Sequence, residues 1–102
     1  MKNNNSNNQV ILPKYQIDAV IFLYSNGQIQ EAIAKIQTLD KKYPNVPVLF
    51  NILGACYKTL GQLENASKMF KNAFTLQPNY AEAHFNHGVV LRAMGELVLA
   101  SE

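Results

Sequence analysis

PVLFNILGACYKTLGQLENASKMFKNAFTLQPNY, residues 47–80, holds one complete copy of a unit that recurs along the chain. Gly61 has counterparts at Gly27 and Gly95, each 34 residues away, and Ala66 has counterparts at Ala32 and Ala100. Pro44 and Pro78 close the first two copies at the same step. A fixed period of this size marks one supersecondary unit stacked on copies of itself, because a single copy cannot bury its apolar face alone.

Within residues 47–80 the spacing reads as two helices. Pro47 suits a first helical position, where its missing N–H has no intrahelical partner to lose. Phe50, Leu53, Gly54 and Tyr57 recur at three-and-four spacing and form one packing face. Gly61 ends that helix, since glycine accepts the left-handed conformation of a helix terminus. A second stripe follows at Leu63, Ala66, Phe70, Ala73 and Phe74, and Pro78 with Asn79 ends it. Asn79 is placed to cap the next helix, with Glu82 at capping-box distance. Gly54 and Ala66 fall where the two helices should cross, and Phe50, Tyr57 and Phe70 fill the space beside them.

These residues resemble the tetratricopeptide repeat, whose pattern is an aromatic, then Leu-Gly, Tyr, Ala, Phe, Ala and Pro. Phe50, Leu53, Gly54, Tyr57, Ala66, Phe70, Ala73 and Pro78 stand in that register, with Phe50 in place of the usual Trp. The resemblance covers residues 13–102. It implies an all-α solenoid of antiparallel helix pairs, about two and a half repeats in a right-handed superhelix. The units are 13–46, 47–80 and 81–102, the third cut short about a turn into its second helix after Gly95. Residues 1–12, opening M-K-N-N-N-S-N-N-Q, read as a disordered polar lead-in.

The outer units depart from the pattern. Val20 stands where glycine is expected, Gln16 replaces the aromatic and Leu39 the late alanine; in the third unit His84, His87 and Leu91 replace the aromatic, Leu and Tyr. Terminal repeats are often atypical because one side lacks a neighbour. The unfinished third unit leaves Phe85, Val89, Leu97 and Leu99 without an obvious cover. That points to the N-terminal part of a longer protein, or to another copy covering the end. The style of the sequence resembles bacterial arrays that precede a glycosyltransferase or sulfotransferase domain.

Composition narrows the function classes. At 102 residues, with 16% charged residues and a formal charge of +2, the chain is one small globular domain. Its nine Lys and Arg residues are scattered, with Lys41-Lys42 the one adjacent pair, which argues against nucleic acid. The aromatics sit at core positions of the repeat rather than interleaved with basic residues, so base stacking is not expected either. The single Cys56 allows no internal disulfide and fits a reducing compartment. No apolar run approaches a membrane helix, and no signal peptide opens the chain, so a cytoplasmic protein is expected.

Little in the sequence suggests chemistry. His84 and His87 share a helix face and can approach one metal ion, but a stable site needs further ligands. Cys56 and Glu82 have no spacing that supplies them. Both histidines fall at packing positions of the repeat, so interhelix packing with hydrogen bonds is the expected role. Cys56 has no base around it and reads as a small apolar residue. No glycine-rich phosphate loop or carboxylate pair occurs. The expectation is no enzyme activity, no cofactor and no metal.

The resemblance also implies a concave groove lined by the first helix of each unit. By register that groove is expected at Ile17, Ile21, Tyr24, Asn51, Ala55, Lys58, Phe85, Val89 and Arg92. Some members of the family hold a peptide's carboxylates with a clamp of Lys, Asn and Arg residues. The matching positions here are Ile17, Ile21, Ile52, Glu82 and Asn86, and Glu82 would repel a carboxylate. An apolar or amphipathic protein segment is the expected partner instead, with Lys58 and Arg92 adding charge preference at the rim. The function expected is a non-catalytic protein–protein interaction scaffold; the alternative is a homo-oligomer formed through the uncapped third unit.

Overall fold

The computed structural model describes residues 11–101, so most of the expected lead-in lies outside the described residues. Of that segment, Ile11 is exposed and Leu12 packs against the core. Five helices follow: α1 (Lys14–Ser25), α2 (Ile29–Lys42), α3 (Pro47–Thr59), α4 (Leu63–Leu76) and α5 (Ala81–Ala100). Among the described residues there is no strand. Each helix packs on the next, and α3 also touches α1 and α5. Nearest-neighbour stacking of this kind is the architecture of a solenoid.

The links inside the first two pairs are built alike. At residue 27 the backbone turns left-handed, with Gly27 at φ +78° and Gly61 repeating it at +76°. Gly27 N–H donates to the Tyr24 carbonyl at 3.0 Å and Gln28 N–H to Leu23 at 2.9 Å. Gly61 and Gln62 donate likewise to Lys58 and Tyr57, at 3.0 and 2.9 Å. This pair of bonds closes each helix by satisfying its last carbonyls, and only glycine takes the left-handed position without steric cost. Gln28 and Gln62 then start the next helix, accepting from Ala32 and Ala66.

Gly95 does not repeat the break. α5 runs through it for 20 residues, so the third unit is one long helix rather than a helix and a turn. The reversals at Gly27 and Gly61 are each followed by a 14-residue helix that packs back. Continuing α5 keeps its backbone hydrogen bonds, which here outweigh the roughly 1 kcal/mol that a helical glycine costs relative to alanine. A second departure lies at the start of α5. Tyr80, not Asn79, holds the cap position, and no side chain caps the helix. Tyr80 N–H bonds Gln77 across the Pro78–Asn79 turn, which sets the helix start one residue later than the capping box needs. Pro47 does occupy the first turn of α3.

Two clusters form the core. The larger joins α1, α2 and α3 through residues including Val20, Ala32, Ile36, Leu49, Leu53 and Cys56. The smaller holds Ala66, Phe70 and Val90, and half-buried Tyr57 packs against both. The Phe70 ring lies over Gly54: a Cβ added there would come within 2.5 Å of the ring. One period earlier the same crossing is made by Val20 and Ile36, both buried in the larger cluster. A larger residue at the glycine position is matched by a smaller one opposite, which keeps the summed volume and explains why the first unit tolerates Val20. One period later the crossing has no second helix, and nothing lies within 4 Å of a Cβ added at Gly88.

Candidate binding cleft

An open cleft of about 340 Å³ crosses the first helices of the three units. Its α1 wall is Ile21, Tyr24 and Ser25; its floor is Val48, Asn51, Ile52 and Ala55 on α3. The opposite wall is Tyr80, Glu82 and Asn86 at the start of α5. One side is therefore mainly apolar and the other polar. α1 and α3 present these residues because Val20 on one and Leu49, Leu53 and Cys56 on the other face the core. At helical spacing the intervening positions turn outward.

Specific hydrogen bonds shape the walls. Tyr24 Oη and Thr59 Oγ1 are 3.3 Å apart and tie α1 to α3, while Thr59 Oγ1 also donates to the Ala55 carbonyl at 3.0 Å. Asn51 is the buried polar residue of the floor, 5% exposed. Its Oδ1 accepts from Asn86 Nδ2 at 3.2 Å, which links α3 to α5 and satisfies an acceptor that burial would otherwise penalise. The Tyr80 phenol is pushed above its ordinary range, first by burial and then by the nearby Glu82 carboxylate, and a hydrogen bond with Asn51 offsets part of this.

Of the nine positions expected from register, Ile21, Tyr24, Asn51 and Ala55 line this cleft. Ile17, Lys58, Phe85, Val89 and Arg92 do not. Lys58 is exposed on the last turn of α3, and exposed Arg92 faces Glu96 one turn on at 3.9 Å. Phe85 is 71% exposed and lies outside the lining. Ile52, Glu82 and Asn86 do line it, and these are positions of the carboxylate clamp. The signal for them was thus present in the repeat register, although the residue types rule out that clamp. Ser25, Val48 and Tyr80 carried no such signal.

The histidines are engaged in packing. His84 stacks on Phe74 with ring centroids 4.1 Å apart, and His87 meets the same ring edge-on at 5.2 Å. His84 Nε2–H donates to the Pro78 carbonyl at 2.7 Å, and His87 Nε2 lies 3.1 Å from Ser67 Oγ. Partial burial, then the charges of Lys71 and His84, hold His87 below the usual imidazole range. The pair therefore joins α4 to α5. Cys56 is fully buried, and burial pushes its thiol up to about 11, so it is not a nucleophile at neutral pH.

Antiparallel helix pairs on a 34-residue step, crossed by an open cleft, define a helical-repeat protein. Residues 54–95 match the family described as TPR repeat, and this stretch, from α3 into α5, carries the tetratricopeptide repeat. The chain is 28% identical over 71 residues to the human protein named Aspartyl/asparaginyl beta-hydroxylase, covering 70% of this chain and 9% of that one. The Mus musculus protein of the same name is 27% identical over 71 residues, 70% of this chain and 10% of its own length. Anaphase-promoting complex subunit 3 of Dictyostelium discoideum is 33% identical over 57 residues, 56% of this chain and 6% of its own. The chain thus spans a tenth or less of the relatives it matches. These relatives are eukaryotic, and they lend the expected bacterial character no support. Tetratricopeptide repeats generally mediate protein–protein interaction and are generally non-catalytic.

Proposed function

We propose that the chain is a non-catalytic interaction module that takes an apolar or amphipathic segment of a protein partner in the cleft between α1, α3 and α5. The observation that carries this reading is the cleft itself: Ile21, Tyr24, Val48, Ile52 and Ala55 line one continuous surface. Its volume falls in the range of ligand-binding clefts, and its make-up suits a helix laid into a groove. No helix among the described residues is long and apolar enough to cross a membrane, and the one thiol is free and buried. A free thiol suits a reducing compartment, and we assign the module to the cytoplasm.

The test is selection of binders from a random peptide library on the wild-type chain, followed by Ile21→Glu. Ile21 is 44% exposed, so the substitution is expected to leave helicity and melting temperature nearly unchanged while weakening the selected peptides about tenfold or more. Selected peptides that bind Ile21→Glu as well as wild type would place binding elsewhere. Unfolding of the variant would mean that Ile21 belongs to the core.

Self-association is the second reading, and a separate observation favours it. α5 exposes Leu91, Leu97, Val98 and Leu99, and Gly88 is open on the same helix. Light scattering over about a hundredfold dilution separates the two, since mass action dissociates an oligomer and leaves a monomer alone. Assembly that survives Ile21→Glu and is lost in Leu97→Glu would assign it to α5. One molar mass at every concentration, equal to that of a single chain, would remove this reading.

A further inference from the structure

The polar wall of the cleft says more about the partner than its apolar wall does. Among the residues that line it, Glu82 alone carries a charge at neutral pH. Lys58 and Arg92, the cations expected at the rim, lie off the lining, and Arg92 has Glu96 as its neighbour. Glu82 is exposed on the first turn of α5, and among the described residues no salt bridge engages it. We propose, resting on the cleft as the binding site, that the cleft selects an amphipathic segment with a lysine or arginine flanking its apolar stripe, placed against Glu82.

Three features of the site support the sign of that charge. The carboxylate shares its wall with Asn86 and Tyr80, neutral side chains that each carry an oxygen able to accept a hydrogen bond. Ammonium and guanidinium groups are pure donors of opposite charge to Glu82, so this wall suits them, while Glu82 repels an incoming carboxylate. The field of Glu82 also reaches into the cleft, where it raises the Tyr80 phenol. Finally, the overall charge of +2 is dispersed. At about 0.1 M salt the screening length is roughly 10 Å, so the nearest charge governs a bound side chain more than the distant ones do. The preference is therefore for a basic partner segment, opposite to the one that the net charge suggests.

Two synthetic helical peptides test this, sharing one leucine stripe and differing by lysine or glutamate at its flank. Each is titrated calorimetrically against wild type, Glu82→Lys and Ile21→Glu, with melting temperatures as a folding control. The lysine peptide is expected to bind wild type about three- to tenfold more tightly at low salt, the range of a partly exposed ion pair exchanged for repulsion. Glu82→Lys should reverse the order, rising salt should shrink the difference, and Ile21→Glu should weaken both peptides. Equal binding of the two peptides to wild type, with Ile21→Glu still weakening both, would overturn the charge preference and leave the cleft as the site. Absence of binding by either peptide, or binding insensitive to Ile21→Glu, would overturn both readings together.

Discussion

Phe70→Ala is expected to destabilise the chain by about 3–5 kcal/mol, measured as a fall in the midpoint of urea unfolding followed by circular dichroism. Phe70 is fully buried and is the largest such side chain. It sits in the smaller cluster, where Ala66 and Val90 are the other buried members, with Tyr57, Leu63 and Met94 packed around them. The cost of such a truncation depends on how far the site can collapse into the space. Collapse is poor here, because the ring faces Gly54, which has no side chain to move in, and Ala66 is nearly as small. The result therefore belongs in the upper part of the range. Domains of this size have about 5–15 kcal/mol in total, so the variant gives up a large share of the stability. The melting temperature should drop by about 15 °C or more. A loss under about 1 kcal/mol would show that α4 is held to α3 by something other than this ring.

How much of this was legible in the sequence depends on whether a residue acts locally or through a neighbour. Gly27 and Gly61 end helices because glycine takes positive φ, a property of the residue itself, and both breaks were readable. Gly95 has the same identity and period but sits inside α5. A break also needs a following helix to reward it, and identity alone does not carry that condition. Asn79 shows the same limit, since the Pro78–Asn79 turn moves the helix start to Ala81 and leaves the cap one residue out of register. The crossing at Gly54 was legible as a place but not in its partner: the pattern pairs Gly54 with Ala66 and sets Phe70 beside them, whereas the Phe70 ring lies directly on Gly54. Val20 looked like a departure from the pattern, and its burial in one cluster with Ile36 accounts for it.

The cleft was half legible for a geometrical reason. Register placed equivalent positions of all three first helices on one line. The surface instead uses the later part of α1, the earlier part of α3 and the very start of α5. Ile21, Tyr24, Asn51 and Ala55 fall on both lines; Ile17, Lys58, Phe85, Val89 and Arg92 lie on the register line only. Tyr80 enters from the link before α5, where no helical period applies. The charge of the site changed with its outline, from two cations at the rim to a single carboxylate on the wall.

Gly54→Ala and Gly88→Ala, the same change at the same position of consecutive units, are expected to move stability in opposite directions. Each replaces a helical glycine, and in an exposed helix that gains about 1 kcal/mol of intrinsic propensity. At Gly88 nothing lies within 4 Å of the added methyl, so the gain stands and the melting temperature should rise by a few degrees. At Gly54 the methyl meets the Phe70 ring at 2.5, 2.7 and 2.9 Å, distances at which an atom must move. The ring is fully buried and has no open side to move toward. Overpacking of this kind costs about 1–3 kcal/mol, at times more, and the rigid contact puts Gly54→Ala toward the top of that range. The net loss is then about 2 kcal/mol, and Gly54→Leu should lose more. The cause can be isolated by combining Gly54→Ala with Phe70→Leu, which shortens the group that collides. The double variant should be less destabilised than the sum of the two single changes by at least about 1 kcal/mol, as expected for residues in direct contact. Strict additivity would mean that the methyl at position 54 is accommodated by a shift of α3 as a whole, and that the close approach of the two helices is not what the glycine provides.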